Sequence, residues 1–489
     1  MRLRTWILVA VSLSMSPPAR AAPNLPSEDP AWDELRDAIA EGRAPDLLGG
    51  VQSLDAERIF AALSRGHAAE GGWVRPLDRA ILRAFADGEH DRPYSLPLRE
   101  RQLAGFVAPS CEYQEGRPCG DGAGAGIELD SSAGFADLLT AATRIRLAGG
   151  SAAFGEGLAL DRAYVKLEYG PLLLQAGRDA LALGPSVRAA EMVSTQAVPQ
   201  DGIRAQLHPV ALPFAPWLRL SLFYFLDRLR GPQTFRGTLL DCTRAQLDFA
   251  DRVQLGGSRL LQLGGEGAPS FGGFWGFVGE HLGRTQPDAI SNPENNRLSF
   301  DLSVRFPELR GARVYYEMAL EDTRTRFFNM LQFDADHLIG IEVRALRLGP
   351  WRRLFVELQH TGWVSQEHGT FTTGMTNGGR ALGSALGPDG TSLWVRADIE
   401  IAGLLVSPWA EWLRFISDRY GSDEAHGVFV TAPGPMEHRQ RIGADLQARL
   451  APGWHLSAGL FGERVGNADL MEGATKLNAG FRAALSYTL

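Results

Sequence analysis

Charged side chains of both signs recur at alternate positions in several segments of the sequence. The clearest are Glu317, Glu321, Glu342 and Glu357, which lie near Arg313, Arg344 and Arg353. Guanidinium and carboxylate groups form strong paired hydrogen bonds, so two kinds of chemistry are open. The groups could bind a charged or hydroxylated ligand, or they could pair with one another across neighbouring strands. Arg178, at the end of another segment, poses the same question: ligand contact or turn anchor.

A second group of candidate binding residues lies in two glycine-containing segments between strands. Gln366, His368, Phe371 and Arg380 lie between residues 364 and 391, and Tyr420 lies between residues 417 and 436. Binding residues gather on loops that a rigid scaffold holds, and amide, imidazole and aromatic groups suit a polar ligand. The alternative is a flexible connection without a ligand. We predict a candidate binding set of ten residues, which joins these five to the four glutamates and Arg178 of the preceding paragraph.

No residue pattern in the sequence supports catalysis. Glu321 and Asp322 are adjacent, but neighbours in a strand point to opposite faces, so the two acids cannot flank one bond. The remaining candidates are three histidines near a serine: His337, His360, His368 and Ser365. No nucleophile motif accompanies them. The Gly264–Gly267 segment lacks the following helix that a phosphate cradle needs. The sequence therefore predicts a protein that is not an enzyme.

The three cysteines bear on redox chemistry and metal binding. Cys111 and Cys119 flank a short segment that could close a disulfide loop in an oxidising compartment, which would leave Cys242 over. No grouping of cysteine and histidine has the spacing of zinc ligands. We predict no metal and no cofactor.

The charged positions lie in segments that alternate between apolar and polar residues. Val314, Tyr316, Met318 and Leu320 oppose the charged face of one segment, and similar alternation occurs in residues 163–168, 393–400, 441–449 and 476–489. A period of two predicts strands with one apolar face and one polar face. Both a soluble sandwich and a membrane barrel with a polar lumen fit this pattern.

The lengths of the connections decide between these architectures. After residue 297, short turns at 308–311, 349–351, 403 and 452–453 alternate with long segments at 323–336, 364–391, 417–436 and 465–474. Short periplasmic turns and longer outer loops are typical of outer-membrane barrels. We predict an all-β transmembrane barrel of about 18 antiparallel strands. A short turn at Gly170 and Pro171 has the opposite phase, which predicts one miscounted strand between about residues 180 and 296.

The N-terminal region predicts where such a barrel lives. Arg2 and Arg4 precede a short apolar stretch and a run of small residues, so residues 1–21 are predicted as a secretory signal peptide. Residues 22–110 are predicted as a periplasmic helical region, since Trp32, Leu35 and Ile39 repeat with helical spacing. This region could plug the barrel or form an independent domain on a linker. Residues 111–489 are predicted as the barrel, in the outer membrane of a Gram-negative bacterium.

Composition adds weak constraints. The net charge of −8 argues against nucleic acid as a partner, and Lys166 and Lys476 are the only lysines. The 56 glycines favour tight turns over long helices. Any embedding in a membrane must come from strands, because no long uncharged apolar run follows the N-terminus.

Several stretches resemble the capsule-assembly Wzi family of outer-membrane proteins. They are LDRAYVKLEYGPLLLQAGRDALALGPS at 160–186, YYEMALED at 315–322, GIEVRALRLGPWRRLFVELQHT at 340–361 and LGSALGPDG at 382–390. The resemblance depends on their order and spacing across most of the chain. Leu183 and Ser186 depart from the family pattern, which commonly has tryptophan and glycine at these places.

The resemblance implies an eighteen-stranded barrel with a periplasmic helical bundle. It also implies a role in attaching or organising capsular polysaccharide or exopolysaccharide at the cell surface, by non-covalent contacts. The residue patterns alone predict the barrel and the helices but not a polysaccharide ligand. The expected partners are this glycan and outer-membrane lipid, and the expected state is a monomer. The alternative function is an outer-membrane porin or sugar-selective channel.

Overall fold

The structure is a computed structural model that describes residues 24, 31–40, 98–108, 120–135, 138–150, 157–269, 294–321, 327–423, 427–451 and 454–488. The predicted signal peptide of residues 1–21 lies outside this range. Cys111, Cys119 and the predicted helices after residue 40 also lie outside it.

Alternating sequence produces strands throughout the described residues. In chain order they are β1 (Leu98–Ala108), β2 (Gly120–Phe135), β3 (Leu139–Gly150), β4 (Leu158–Tyr169), β5 (Leu172–Asp179), β6 (Gln200–Leu212), β7 (Ala215–Arg228), β8 (Leu239–Phe249), β9 (Val253–Leu263), β10 (Glu294–Phe306), β11 (Ala312–Glu321), β12 (Asp336–Val343), β13 (Trp351–His360), β14 (Thr376–Asn377), β15 (Arg380–Ala381), β16 (Gly390–Ile401), β17 (Leu404–Ile416), β18 (Arg419–Asp423), β19 (Gly427–Ala432), β20 (Met436–Ala451), β21 (Trp454–Gly466) and β22 (Thr475–Thr488). The helix α1 (Ala31–Ala40) precedes them, and α2 (Phe327–Asn329) continues into a π-helical turn at Met330–Asp334.

Eighteen of these strands form one antiparallel sheet, as predicted. The pairs β14–β15 and β18–β19 are small hairpins within connections. Strand β1 pairs with β2 and also with β22, where Val107 lies opposite Phe481 and Glu100 opposite Thr488. Since every strand of the sheet thereby has two neighbours, no backbone edge is left unpaired, which is the arrangement of a barrel.

Short and long connections alternate around the whole barrel. The predicted short turns after residue 297 and the predicted long segments all fall between the expected strands. The turn at Gly170 and Pro171 joins β4 to β5 at the same end as the other short turns. The opposite phase expected for this turn is therefore wrong, and the strand miscounted between residues 180 and 296, where β6 to β10 begin, accounts for the difference. We call the two ends of the barrel the short-turn end and the long-loop end.

The two faces of the wall differ as the alternation predicts. In β11, Arg313, Tyr315 and Glu317 are buried on the inner face, while Val314 and Tyr316 are exposed on the outer face. Among the described residues, exposed large apolar side chains recur on the outside of most strands. An outer apolar surface around a polar interior is what a barrel in a lipid bilayer requires. In the described part of the chain, no helix has the length and apolar character needed to cross a membrane.

The barrel starts earlier than predicted. Strand β1 covers Leu98–Ala108, which lies within the range 22–110 assigned to the helical region. The boundary at residue 111 is therefore wrong. The sequence does not predict this strand, because the polar residues Arg99, Glu100 and Gln102 interrupt the apolar alternation.

Helix α1 lies against the inner wall near the short-turn end. Its apolar residues Trp32, Leu35 and Ile39 are buried, as the helical spacing predicts. Its polar face contacts the wall as well, because the Arg353 side chain donates hydrogen bonds to Asp37 from both Nε and Nη2. The described helix is thus enclosed by the barrel, in agreement with the plug alternative for this element.

Two long connections fold into the interior at the other end. Leu183 and Val193 of the β5–β6 connection pack with Met375 and Leu382 of the β13–β16 connection, and with inner-wall residues such as Phe225. All five side chains are almost fully buried. We call these two connections, residues 180–199 and 361–389, the inner loops. They give the long-loop half of the barrel an apolar core.

Candidate functional site

Two of the four inner-wall glutamates predicted as ligand contacts, Glu321 and Glu342, pair with arginines. Arg313 Nε donates to Glu342 Oε1 at 2.5 Å, and Arg344 Nε donates to Glu342 Oε2 at 2.8 Å. Arg297 Nη1 lies 3.4 Å from Glu321 Oε1. Both carboxylates are buried and each is paired with an arginine guanidinium. Glu321 and Glu342 therefore pair with arginines across neighbouring strands, which is the alternative to ligand binding.

Glu357 holds an inner loop instead of facing open solvent. Its Oε1 accepts hydrogen bonds from Ser186 Oγ at 2.9 Å, from the Val187 backbone N–H at 2.7 Å and from the Tyr315 hydroxyl at 2.5 Å. Arg188, the next residue of the loop, forms an ion pair with Glu411 on β17. The family-like segment ending at Ser186 is therefore fastened across the interior of the barrel.

Glu317 explains the glycine of the same segment. Gly184 has φ of +112°, and a β-carbon placed there would lie 2.6 Å from Glu317 Oε2. Glu317 is itself 1% exposed, so its carboxylate has little room to move. The loop can approach the inner wall this closely because glycine has no side chain.

Substitution Gly184→Ala should destabilise the barrel by about 1–3 kcal/mol through backbone strain and this clash. The measurement is the temperature at which the folded band in detergent gels is lost. Gly170→Ala is the matched control, since Gly170 also has positive φ, +57°, but no atom lies within 4 Å of a β-carbon there. Equal losses for the two variants would contradict the role assigned to the clash.

Three of the predicted loop residues make contacts that hold the loop itself in place. Phe371 is fully buried and packs edge-on against Phe235 with ring centroids 5.3 Å apart. Gln366 is 6% exposed and donates from Nε2 to the Ser384 carbonyl. His368 Nδ1 accepts from the backbone N–H groups of Thr370 and Phe371 at 3.2 Å. These three residues shape the inner loop of residues 361–389.

Arg380 lies in the small β15 strand of the same loop and is half-buried. Burial and the neighbouring Arg146 both lower the pKa of Arg380 from its ordinary value. A cation in this environment is well suited to an anionic neighbour.

Aromatic rings gather around Tyr420 at the long-loop end. The Trp363 ring lies 5.1 Å from that of Tyr420 between centroids, and Phe333 lies 6.2 Å away on the same tyrosine. Trp363 Nε1 donates to Asp334 Oδ1 at 2.8 Å, and the Tyr420 hydroxyl donates to Asp389 Oδ2 at 2.5 Å. We call Phe333, Trp363, Tyr420 and Asp389 the aromatic cluster. Each of them is only half-buried, so part of each side chain remains accessible.

The protonation of this cluster follows from its surroundings. Burial and the neighbouring Asp418 raise the pKa of Asp389, while the hydrogen bond from Tyr420 and the charges of His360 and Arg414 lower it, and the net direction is upward. Burial and Asp389 also raise the pKa of Tyr420. The tyrosine therefore remains a hydrogen-bond donor at neutral pH.

Three different connections supply the aromatic cluster. Phe333 follows α2, Trp363 and Asp389 flank the inner loop of residues 361–389, and Tyr420 begins the β18–β19 hairpin. Of these residues, only Tyr420 was in the predicted binding set. Trp363 and Phe333 were missed, although aromatic residues directly after a strand or before one are visible in the sequence.

Arg178 lies on the outer face of the wall, which differs from its prediction among inner-face groups. It donates to Asp201 from Nε at 2.5 Å and from Nη2 at 2.8 Å, and to the Leu160 carbonyl at 2.7 Å. The arginine thus links β4, β5 and β6 on the outside of the barrel. This geometry agrees with the turn-anchor alternative.

The metal-ligand and thiol groups of the described residues are few. No group of three or more histidine, cysteine, aspartate or glutamate side chains there could hold a metal ion. Cys242 is a free thiol, fully buried in the apolar core of the long-loop half.

The sequence of this chain was compared with those of known protein families. The family of the capsule assembly protein Wzi matches residues 102–479. The chain belongs to the Wzi capsule assembly family. The match spans β1 to β22, so the Wzi-family region and the barrel coincide. No curated protein sequence matches at a significant level.

One solved structure shows the fold of this Wzi-family chain. The structure of Wzi of Escherichia coli, described as an outer membrane protein involved in group 1 capsule assembly and as a carbohydrate-binding β-barrel, aligns with a TM-score of 0.70. The two chains are 16% identical, and the alignment covers 96% of this chain and all of that one. A BenF-like porin from Pseudomonas fluorescens aligns at a TM-score of 0.47 with 14% identity, over 82% of this chain and 99% of the porin. The fold is that of an outer-membrane β-barrel.

Proposed function

We propose that this protein binds capsular polysaccharide or exopolysaccharide at the cell surface and helps to attach or organise it there. The observation that carries the proposal is the aromatic cluster at the long-loop end. Half-exposed rings beside a carboxylate offer apolar faces for sugar rings and acceptors for sugar hydroxyls. Membership of the Wzi family, and the carbohydrate binding described for the Escherichia coli protein, support the same ligand class.

The proposal includes an orientation. The long loops face the cell exterior, and the short turns face the periplasm together with α1 and the rest of the helical region. The exposed apolar side chains of the outer wall contact lipid, and the protein acts as a monomer. In this orientation the aromatic cluster meets the surface glycan directly.

The packed interior supports attachment over conduction. The inner loops bury an apolar core in the long-loop half, and α1 fills space near the short-turn end. A porin needs an open water path along its lumen, whereas an attachment protein does not. Steady ion-selective current through the purified protein in a planar bilayer would favour the porin alternative.

The binding is non-covalent, and no residue is assigned a catalytic role. His337 and His360 both make local contacts: His337 with Tyr316 and the Leu331 carbonyl, and His360 with Thr391. Ser365 donates to Asp336 Oδ2 at 2.8 Å and contacts no histidine in the described residues. These contacts support roles in the wall.

The test of the proposal is substitution Trp363→Ala. We expect about tenfold weaker binding of purified polysaccharide, because central aromatic contacts dominate binding energy. Binding is measured by retention of the glycan on immobilised protein, together with surface retention in cells. Trp412→Ala is the matched control, since Trp412 is 48% exposed on the outer wall of β17. Unchanged glycan binding by a folded Trp363→Ala protein would refute the assignment of the site.

A further inference from the structure

A cavity of about 480 Å³ opens at the long-loop end beside the β7–β8 connection. Three arginines line it, Arg228, Arg230 and Arg236, together with Asp201 and the glycines of the connection. The glycines Gly231 and Gly237 both have positive φ, which bends the backbone around the cavity. We call this feature the arginine cavity. It is separate from the aromatic cluster and shares no residue with it.

The arginine cavity carries a net positive charge. Its one carboxylate, Asp201, is already engaged by two hydrogen bonds from Arg178 and lies 3.5 Å from Arg230 Nε. Arg228 and Arg236 are exposed, and among the described residues neither forms an ion pair. Several guanidinium groups around one hollow repel one another unless an anion joins them. Their planar donors match phosphate oxygens in paired hydrogen bonds.

The position of the cavity on the wall narrows the class of ligand. Arg228 lies opposite Asp201 in the β6–β7 pairing, and Ile203 and Leu222 follow on the same outer face toward the short-turn end. Ile203 is 52% exposed and Leu222 is 42% exposed. The cavity therefore lies at the upper rim of the wall, directly above the apolar surface that contacts acyl chains. A molecule that fills both regions has an anionic headgroup and hydrocarbon chains.

We propose that the arginine cavity binds the phosphorylated headgroup of a glycolipid in the membrane leaflet next to the long loops. Phosphate oxygens accept from Arg228 and Arg236, and the acyl chains lie along Ile203 and Leu222. Arg178 contributes indirectly, because it neutralises Asp201 and removes a repulsive charge from the cavity. The site faces the lipid and not the lumen, so it favours a lipid headgroup over an acidic segment of soluble polysaccharide. This binding would fix the barrel's depth and orientation in the leaflet.

The experiment is a titration of the purified full-length protein in neutral detergent with lipid A, a diphosphorylated acylated glucosamine disaccharide, followed by native mass spectrometry. The double variant Arg228→Gln with Arg236→Gln should bind about 25-fold more weakly, since each basic residue near an anionic lipid surface changes affinity about fivefold. Dephosphorylated lipid A should lose as much affinity for the unaltered protein. The binding should also weaken as salt concentration rises.

A matched control replaces two exposed arginines at the short-turn end, Arg252→Gln with Arg352→Gln, whose partners Glu308 and Glu400 are exposed as well. This variant should bind lipid A like the unaltered protein. Equal affinity of the cavity variant and the unaltered protein would overturn the proposal. So would equal binding of the dephosphorylated lipid, or competition by an acidic oligosaccharide as effective as lipid A. Unchanged polysaccharide binding by the Trp363→Ala variant would count against the aromatic cluster and leave this proposal standing.

Discussion

Asp37→Ala should release helix α1 from the inner wall. Asp37 receives hydrogen bonds from Arg353 Nε at 2.9 Å and Nη2 at 2.5 Å, and from Arg344 Nη1 at 3.2 Å. Removing the carboxylate leaves two buried guanidinium groups short of a partner. Breaking a buried ion pair from one side costs about 3–5 kcal/mol. The expected result is amide hydrogen exchange in residues 31–40 that is at least about a hundredfold faster.

The second aspartate of the helix, Asp33, limits what Asp37→Ala can remove. Burial would raise the pKa of Asp33, but Arg353, Arg396 and Arg344 together hold it well below its ordinary value. Asp33 therefore stays charged in the docked helix, and its contribution to docking is complete above the ordinary pKa of aspartate and is lost progressively as pH falls from there toward the lowered pKa. Glu308→Ala, at the same end but exposed, is the control and should leave exchange in α1 unchanged. Slow exchange in the Asp37 variant would mean that apolar packing and Asp33 hold the helix without the Asp37 carboxylate.

Glu357→Ala should free the inner loop of residues 180–199. One carboxylate oxygen accepts from Ser186, Val187 and Tyr315, and each buried donor left without a partner costs about 1–3 kcal/mol. The loop should open locally while the hydrogen-bonded wall stays closed. Arg188, whose side chain now pairs with Glu411, would then become accessible to trypsin.

The measurement is limited trypsin digestion with identification of the fragment that ends at Arg188. We expect rapid cleavage there in the variant and slow cleavage in the unaltered protein, while both keep the folded band in detergent gels. Glu400→Ala is the control, because Glu400 forms only an exposed pair with Arg352. Resistance of the Glu357 variant at Arg188 would show that the apolar core holds the loop without this carboxylate.

The wall of the barrel was predictable from the sequence because membrane lipid imposes one rule on every strand. Outer residues must be apolar, so Val314 and Tyr316 could be assigned to the outside and Glu317 to the inside. The same parity could have placed Arg178, since Leu172 and Leu174 lead to it on the outer face. The position of Arg178 in the strand, and not its charge, decides which face it occupies.

The interior was harder to predict because its contacts join distant parts of the chain. Asp37 and Arg353 are 316 residues apart, and Ser186 and Glu357 are 171 apart. Nothing in local periodicity links such partners. Phe371 was predicted as a binding residue of a loop, where its neighbours are glycine and threonine, yet it is fully buried. An apolar side chain in a polar loop can signal that the loop turns inward.

The pairing of β1 with β22 has a consequence for biogenesis. Strands β1 and β22 form the seam of the cylinder, so the wall cannot be sealed until β22 has been synthesised and pairs with β1. Helix α1 precedes β1 in the chain and yet occupies the enclosed space. It must either be captured as the seam zips shut or enter afterwards through an open mouth. A chain that lacks its final strand should accumulate with an open seam and its N-terminal helix exposed to periplasmic proteases.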